Sequence, residues 1–151
     1  MGCIRVGKGP ALVLIHGFLS GFEYWGKQIE SLSTHFEVIA MDHPGYGGKT
    51  SETGFDKVAD FAANVLKELD ALGVDNFHLL GHSMGGMIAQ EIALQVPDRV
   101  NRLVLYGTGP RGDMPGRFES LEDSMAKVQK DGAEEAKRYT VASWFKNRTE
   151  D

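Results

Sequence analysis

A single cysteine, Cys3, stands in the 151 residues, which excludes an internal disulfide. No cysteine–histidine group has the spacing of a zinc site, so no metal site is expected. Positive charge is not in excess: 16 Lys and Arg against 21 Asp and Glu give a net charge of −5. Nucleic acids and anionic membranes both call for a basic face, so neither is expected as a partner. No apolar run approaches the length of a membrane span, and the N-terminus lacks a charged-then-apolar signal pattern. With the lone cysteine, these absences point to a cytoplasmic location. The Asn147-Arg148-Thr149 sequon is then read as chance. One further absence bears on chemistry. The histidines are His16, His35, His43, His78 and His82, and none follows residue 82.

What is present is an ordinary globular composition, 42% hydrophobic and 25% charged, in short apolar runs that alternate with amphipathic ones. Ala11–His16, Glu37–Met41, Asn76–Leu80 and Arg102–Tyr106 read as buried strands. Residues 21–33, 54–72 and 84–95 read as helices, the second capped by Thr53 and stopped by Gly73, the third ended by Pro97. Apolar strands alternating with helices predict an α/β fold, a mostly parallel sheet with helices on both faces. Residues 107–116 are a Gly/Pro-rich linker, and Arg117–Lys130 and Gly132–Lys146 read as two further helices. A division at residues 1–110 and 111–151 follows. A sheet that stops at Arg102–Tyr106 is expected to expose an unpaired apolar edge and to invite association.

Residues 81–85, Gly81-His82-Ser83-Met84-Gly85, form a G-x-S-x-G sequence between the third strand and the third helix. A serine in so sharp a strand-to-helix turn presents its hydroxyl for attack, and the glycines make room for the turn. The N–H of Met84, at the start of a helix, is a candidate oxyanion donor favoured by the helix dipole. The second donor is expected from the loop after an earlier strand, where His16-Gly17-Phe18 places the N–H of Phe18. His16 is read as a buried hydrogen-bonding residue of that loop rather than a base. His82 adjoins Ser83, so their side chains diverge, and it is read as packing. His35, His43 and His78 are read as surface or core-edge residues. Asp42 is read through turn chemistry, as an Asx-type turn in Asp42-His43-Pro44-Gly45-Tyr46-Gly47-Gly48. Phe22 and Trp25 are read as core, Met84 as able to reach a pocket, Met87 as packing. Asp113 is a weak candidate for a catalytic acid, since it lies in the linker.

The order His16-Gly17-Phe18, Asp42-His43-Pro44-Gly45-Tyr46-Gly47, Gly81-His82-Ser83-Met84-Gly85-Gly86 resembles the α/β-hydrolase family over roughly residues 9–110. The resemblance implies Ser83 as nucleophile and Phe18 and Met84 as oxyanion-hole amides, with His16, Gly17, Gly81, His82, Gly85 and Gly86 supporting the motif. It implies that residues 1–110 are the N-terminal part of a hydrolase core, incomplete, and that 111–151 begin a helical cap. In that family the acid and the histidine follow the cap, so a C-terminal segment or a second chain is expected to complete the sheet and the triad. The chain alone is expected to be a very poor catalyst. The implied reaction is cleavage of a small ester, thioester or lactone through an acyl-enzyme, on a small-molecule carbonyl substrate and without cofactor. C–C bond hydrolysis and perhydrolysis use the same site. Serine at the turn argues against haloalkane dehalogenase or epoxide hydrolase chemistry. The rival class is a catalytically silent ligand-binding module on the same scaffold.

Overall fold

The computed structural model describes residues 2–112 and 120–143. Five strands form one sheet: β1 (Cys3–Val6), β2 (Ala11–Ile15), β3 (Glu37–Met41), β4 (Phe77–His82) and β5 (Val100–Tyr106). Their order is β1-β3-β2-β4-β5. β1 runs antiparallel to β3, and every other pairing is parallel. The helices are α1 (Gly26–Leu32), preceded by a 3₁₀ turn over Phe22–Trp25, then α2 (Val58–Ala71), α3 (Met84–Gln95), α4 (Leu121–Asp131) and α5 (Ala133–Ser143). The chain divides into two compact units, Met1–Pro110 and Arg111–Asp151.

The apolar strands are buried on both sides because successive side chains point to opposite faces. On one face Val13, Ile15, Ile39, Met41, Phe77 and Leu79 meet Phe61, Val65 and Leu69 of α2 and Ile88 and Ile92 of α3. On the other face Leu12, Leu14, Val38 and Ala40 meet Trp25 and Ile29. β5 is the exception. Among the described residues it pairs only with β4, and Leu103, Val104, Leu105 and Tyr106 are all exposed.

Three boundaries depart from the sequence reading. β1 went unassigned, because a four-residue strand carrying Arg5 has no apolar run; Arg5 points outward to Glu37, at 2.9 Å. α2 begins at Val58 with extended Lys57 before it and no side-chain cap, so Thr53 does not start it. The intervening residues are taken up in tertiary contact: Gly54 backs onto Gly45, and Phe55 meets Phe61 edge-on with centroids 5.1 Å apart. Residues 21–33 split into a 3₁₀ turn and a short α-helix. Gly73 does end α2, in the left-handed region at φ +69, with Val74 N–H bonded back to Leu69 O at 3.0 Å. The linker residues 113–116, residues 117–119 and 144–146 of the expected last helices, Asp113 and the 147–149 sequon lie outside the described residues.

Leu79 is completely buried on the face shared with α2 and α3. Leu79→Ala is expected to lower stability by about 2–5 kcal/mol, the cost of lost burial plus a cavity. Urea denaturation followed by circular dichroism measures it.

Candidate active site

β4 runs to His82 and α3 starts at Met84, so Ser83 makes the whole turn. Its backbone sits at φ 54, ψ −120. Among the described residues only Leu19 is another non-glycine with positive φ. Such a conformation costs about 1–3 kcal/mol and persists where surrounding bonds over-determine it. Here the Ser83 N–H donates to Tyr106 O at 3.1 Å, while its carbonyl accepts from Gly86 N–H at 2.9 Å and from Thr108 Oγ1 at 2.6 Å. Three glycines let the segments close up. A Cβ at Gly81 would overlap the Gly85 carbonyl; one at Gly85 would overlap the carbonyls of Ile15 and His16; one at Gly86 would overlap the Thr108 side chain. The Ser83 side chain makes no capping bond to α3 and is half-buried. The hydroxyl is thus left at the carboxyl end of a parallel sheet, where ligands bind in open α/β folds.

The turn after β2 lies directly against it. A Cβ added to Gly17 would stand 3.0 Å from Ser83 Cβ and 3.2 Å from His82 Nδ1. His16 is fully buried. Its Nε2 accepts the His43 N–H at 3.3 Å, which leaves Nδ1 to donate to Gly17 O at 2.8 Å. Burial holds the His16 pKa below the ordinary value, consistent with this neutral tautomer. The Phe18 N–H donates to no backbone carbonyl among the described residues. The Met84 N–H is the first of α3, one of the amides that a helix leaves without an internal partner. Neither amide singled out from the sequence donates to a backbone carbonyl among the described residues.

His43, expected at the surface or core edge, is instead fully buried. Its ring packs edge-on to Phe61 at 5.4 Å and beside His16 at 4.5 Å, and neither ring nitrogen has a partner among the described residues. Turn chemistry suggested exposure, but Phe61 of α2 covers this turn. His82 lies flat on Tyr24 with centroids 4.9 Å apart. His78 meets Phe36 edge-on, and His35 is exposed. No imidazole hydrogen-bonds Ser83 among the described residues.

Two residues near the elbow went unrecognised. The Tyr46 hydroxyl reaches Met84 Sδ at 3.8 Å and its ring meets Phe18 edge-on at 6.1 Å. Thr108 tethers the Ser83 carbonyl. Nothing in the local pattern marks either one, since both act across 25 or more residues of chain. Trp25 is buried and Phe22 packs beside it, as core residues. A groove of about 610 Å³ lined by Tyr24, Trp25, Leu80, Val104 and Tyr106 includes none of Ser83, Phe18 or Met84. Among the described residues no group of His, Cys, Asp or Glu is arranged to hold a metal ion, and no helix is long and apolar enough to cross a membrane.

A strained residue between a parallel strand and a helix, backed by a glycine turn from the neighbouring strand, defines an α/β protein with an elbow at its sheet's carboxyl edge. The model of the alpha/beta hydrolase fold matches residues 10–144, and the chain belongs to that family. It is 40% identical over 105 residues to a pimeloyl-[acyl-carrier protein] methyl ester esterase of Vibrio parahaemolyticus, covering 70% of this chain and 39% of that protein. It is 38% identical over 106 residues to the (E)-2-((N-methylformamido)methylene)succinate hydrolase of Acinetobacter baylyi, covering 70% of this chain and 40% of that protein. The structure of a thermophilic esterase from Thermogutta terrifontis superposes with a TM-score of 0.81 at 28% identity, covering 98% of this chain and 57% of that chain. The chain thus spans about 40% of the length of these curated relatives.

The buried imidazoles make folding pH-dependent. Burial, with smaller contributions from His16 and Lys49, pushes the His43 pKa down to about 3. Below the ordinary value near 6.5 the unfolded chain binds a proton that the folded chain refuses. Stability is therefore complete above that value and falls as pH drops from about 6.5 toward about 3, with a limiting slope of about 1.4 kcal/mol per pH unit for one group. His16 acts in the same direction. Urea midpoints across this range are expected to decline, and to decline less in His43→Phe, which keeps the ring but not the titration.

Proposed function

We propose that this chain carries the nucleophile and oxyanion hole of a serine hydrolase acting on a small ester, thioester or lactone. Ser83 Oγ attacks the substrate carbonyl while a general base takes its proton. The charge that develops on the carbonyl oxygen is held by the N–H groups of Phe18 and Met84, the latter aided by the dipole of α3. The base returns the proton to the departing alcohol, thiol or lactone oxygen. Water then adds to the acyl-serine and releases the acid. No cofactor takes part. The base, an imidazole oriented by a carboxylate, comes from outside the described residues, in a C-terminal segment or a second chain. The unit Arg111–Asp151 begins a helical cap. Hydrolysis of C–C bonds and perhydrolysis are variants that the same serine and amides serve.

The observation that carries this reading is the left-handed backbone of Ser83 packed against Gly17, with the N–H groups of Phe18 and Met84 donating to no backbone carbonyl among the described residues. The relatives' names, an ester esterase and a hydrolase, support it. A second reading, a silent ligand-binding module, draws on the lack of any imidazole bonded to Ser83 among the described residues.

A fluorophosphonate probe separates the two. The protein as encoded is expected to be labelled at Ser83, located by peptide mass spectrometry, and Ser83→Ala to be unlabelled. Turnover of an activated ester is expected to fall on the order of 10⁶-fold in that variant. Residues 1–151 expressed alone are expected to label far more slowly, and rapid labelling would refute a base supplied from elsewhere. An unlabelled natural protein would favour the binding module.

A further inference from the structure

Asp42 follows β3 at the same sheet edge and is 1% exposed. Its two carboxylate oxygens reach different loops. Oδ2 accepts the Gly48 N–H at 2.7 Å, which closes the turn beginning at Asp42 itself. Oδ1 accepts the Phe22 N–H at 2.7 Å, across 20 residues of chain, in the segment that follows the turn after β2. An Asx-type turn accounts for the first bond and not for the second. No ion pair reaches Asp42 among the described residues, so backbone amides hold the carboxylate. Asp42 is in turn fixed by its own N–H, which donates to Gly2 O at 2.6 Å.

The turn Gly17–Gly21 is thereby tied at both ends to the end of β3. At its start, His16 Nε2 accepts the His43 N–H. At its finish, Phe22 N–H is held by Asp42. Between the ties stand Phe18 and Leu19, the latter at φ 57. The surroundings leave no slack. A Cβ at Gly21 would lie 2.9 Å from Asp42 Oδ1 and 3.1 Å from Gly47 Cα, and one at Gly47 would overlap the carboxylate. Gly21 has an extended backbone, φ −151, that any residue adopts; the carboxylate and the Gly47 backbone, not the dihedral angle, crowd a side chain there.

We propose that Asp42 is a positioning residue: its carboxylate clamps the turn after β2 so that the Phe18 N–H stays aimed at the oxygen of a substrate carbonyl on Ser83. The proposal rests on the reading of Ser83 as nucleophile. A donor that acts only on the charged transition state affects turnover and not ground-state binding. Misplacement of such a group by about 1 Å costs on the order of 10²-fold.

The test uses the protein as encoded, with p-nitrophenyl acetate as substrate. Asp42→Asn keeps the shape but turns an NH₂ toward one of the two N–H donors. Gly21→Ala pushes on the same carboxylate without altering Asp42, and serves should Asp42→Asn fail to fold. Both are expected to lower kcat about 10- to 100-fold with KM changed less than about threefold. Amide hydrogen exchange is expected to speed up across residues 17–22 while amides of α2 such as Val65 keep their protection. Unchanged kcat with unchanged exchange in the turn would overturn the proposal, as would a loss of kcat accompanied by lost protection throughout the fold. Fluorophosphonate labelling of the unaltered protein separates the two levels. Absence of labelling defeats the reading of Ser83, whereas the exchange data judge the clamp by themselves.

Discussion

Where the end of β4, the start of α3 and the turn after β2 meet, segments approach so closely that a Cβ is excluded by backbone at Gly81 and Gly85, by the Thr108 side chain at Gly86, and crowded at Gly17. Gly17, Gly81, Gly85 and Gly86 each face another segment at a distance that a Cβ would violate or crowd. Glycine in regular structure carries an entropic cost of roughly 0.5–1 kcal/mol against alanine, so the contact is expensive to encode. What it achieves is geometric. The first turn of α3 lies on the carbonyl end of β2, and one residue is left to reverse the chain.

Polar groups buried at this edge follow from the same closeness. Among the described residues, the fully buried polar side chains His16, Asp42 and His43 all belong to the ends of β2 and β3. Backbone amides and carbonyls crowd here without sheet partners, and buried polar groups are costly unless paired. His16 serves one carbonyl and one N–H; Asp42 serves two N–H groups. His43 contributes its main chain and a neutral ring, and burial without partners is tolerable for an imidazole only while it stays uncharged. None of the three hydrogen-bonds the Ser83 side chain among the described residues.

The strands β2, β3 and β4 and the stripe of α2 were legible because their burial is written as short apolar runs and a 3.6-residue repeat, and β5 was legible from its apolar Leu103–Leu105 although those side chains are exposed. The elbow was legible because close packing demands glycine at fixed offsets from Ser83. β1 was not, since a four-residue strand carrying Arg5 produces no pattern above noise. The start of α2 was misplaced because Thr53 offers a good cap locally, while Gly54 and Phe55 are claimed by contacts with Gly45 and Phe61. His43 was misplaced because Asp42-His43-Pro44-Gly45 reads as a surface turn. That Phe61, 18 positions on, covers it is long-range information. The Phe22–Asp42 bond belongs to the same kind: the turn residues announce Asp42, and only the fold supplies its second partner.

The backbone of Ser83 stores about 1–3 kcal/mol of strain, and its peptide groups account for how that strain is held. One N–H and one carbonyl of Ser83 engage Tyr106, Gly86, Met87 and Thr108. At roughly 0.5–1.5 kcal/mol net for each hydrogen bond, two or three suffice to offset the cost. The side chain is not among these restraints. Glycine would relieve the strain, and alanine would keep it while making every one of the same bonds. Nothing in the packing of β4 and α3 therefore asks for a hydroxyl at this position. A strained residue whose side chain makes none of these bonds is the feature on which the proposed chemistry at that oxygen rests.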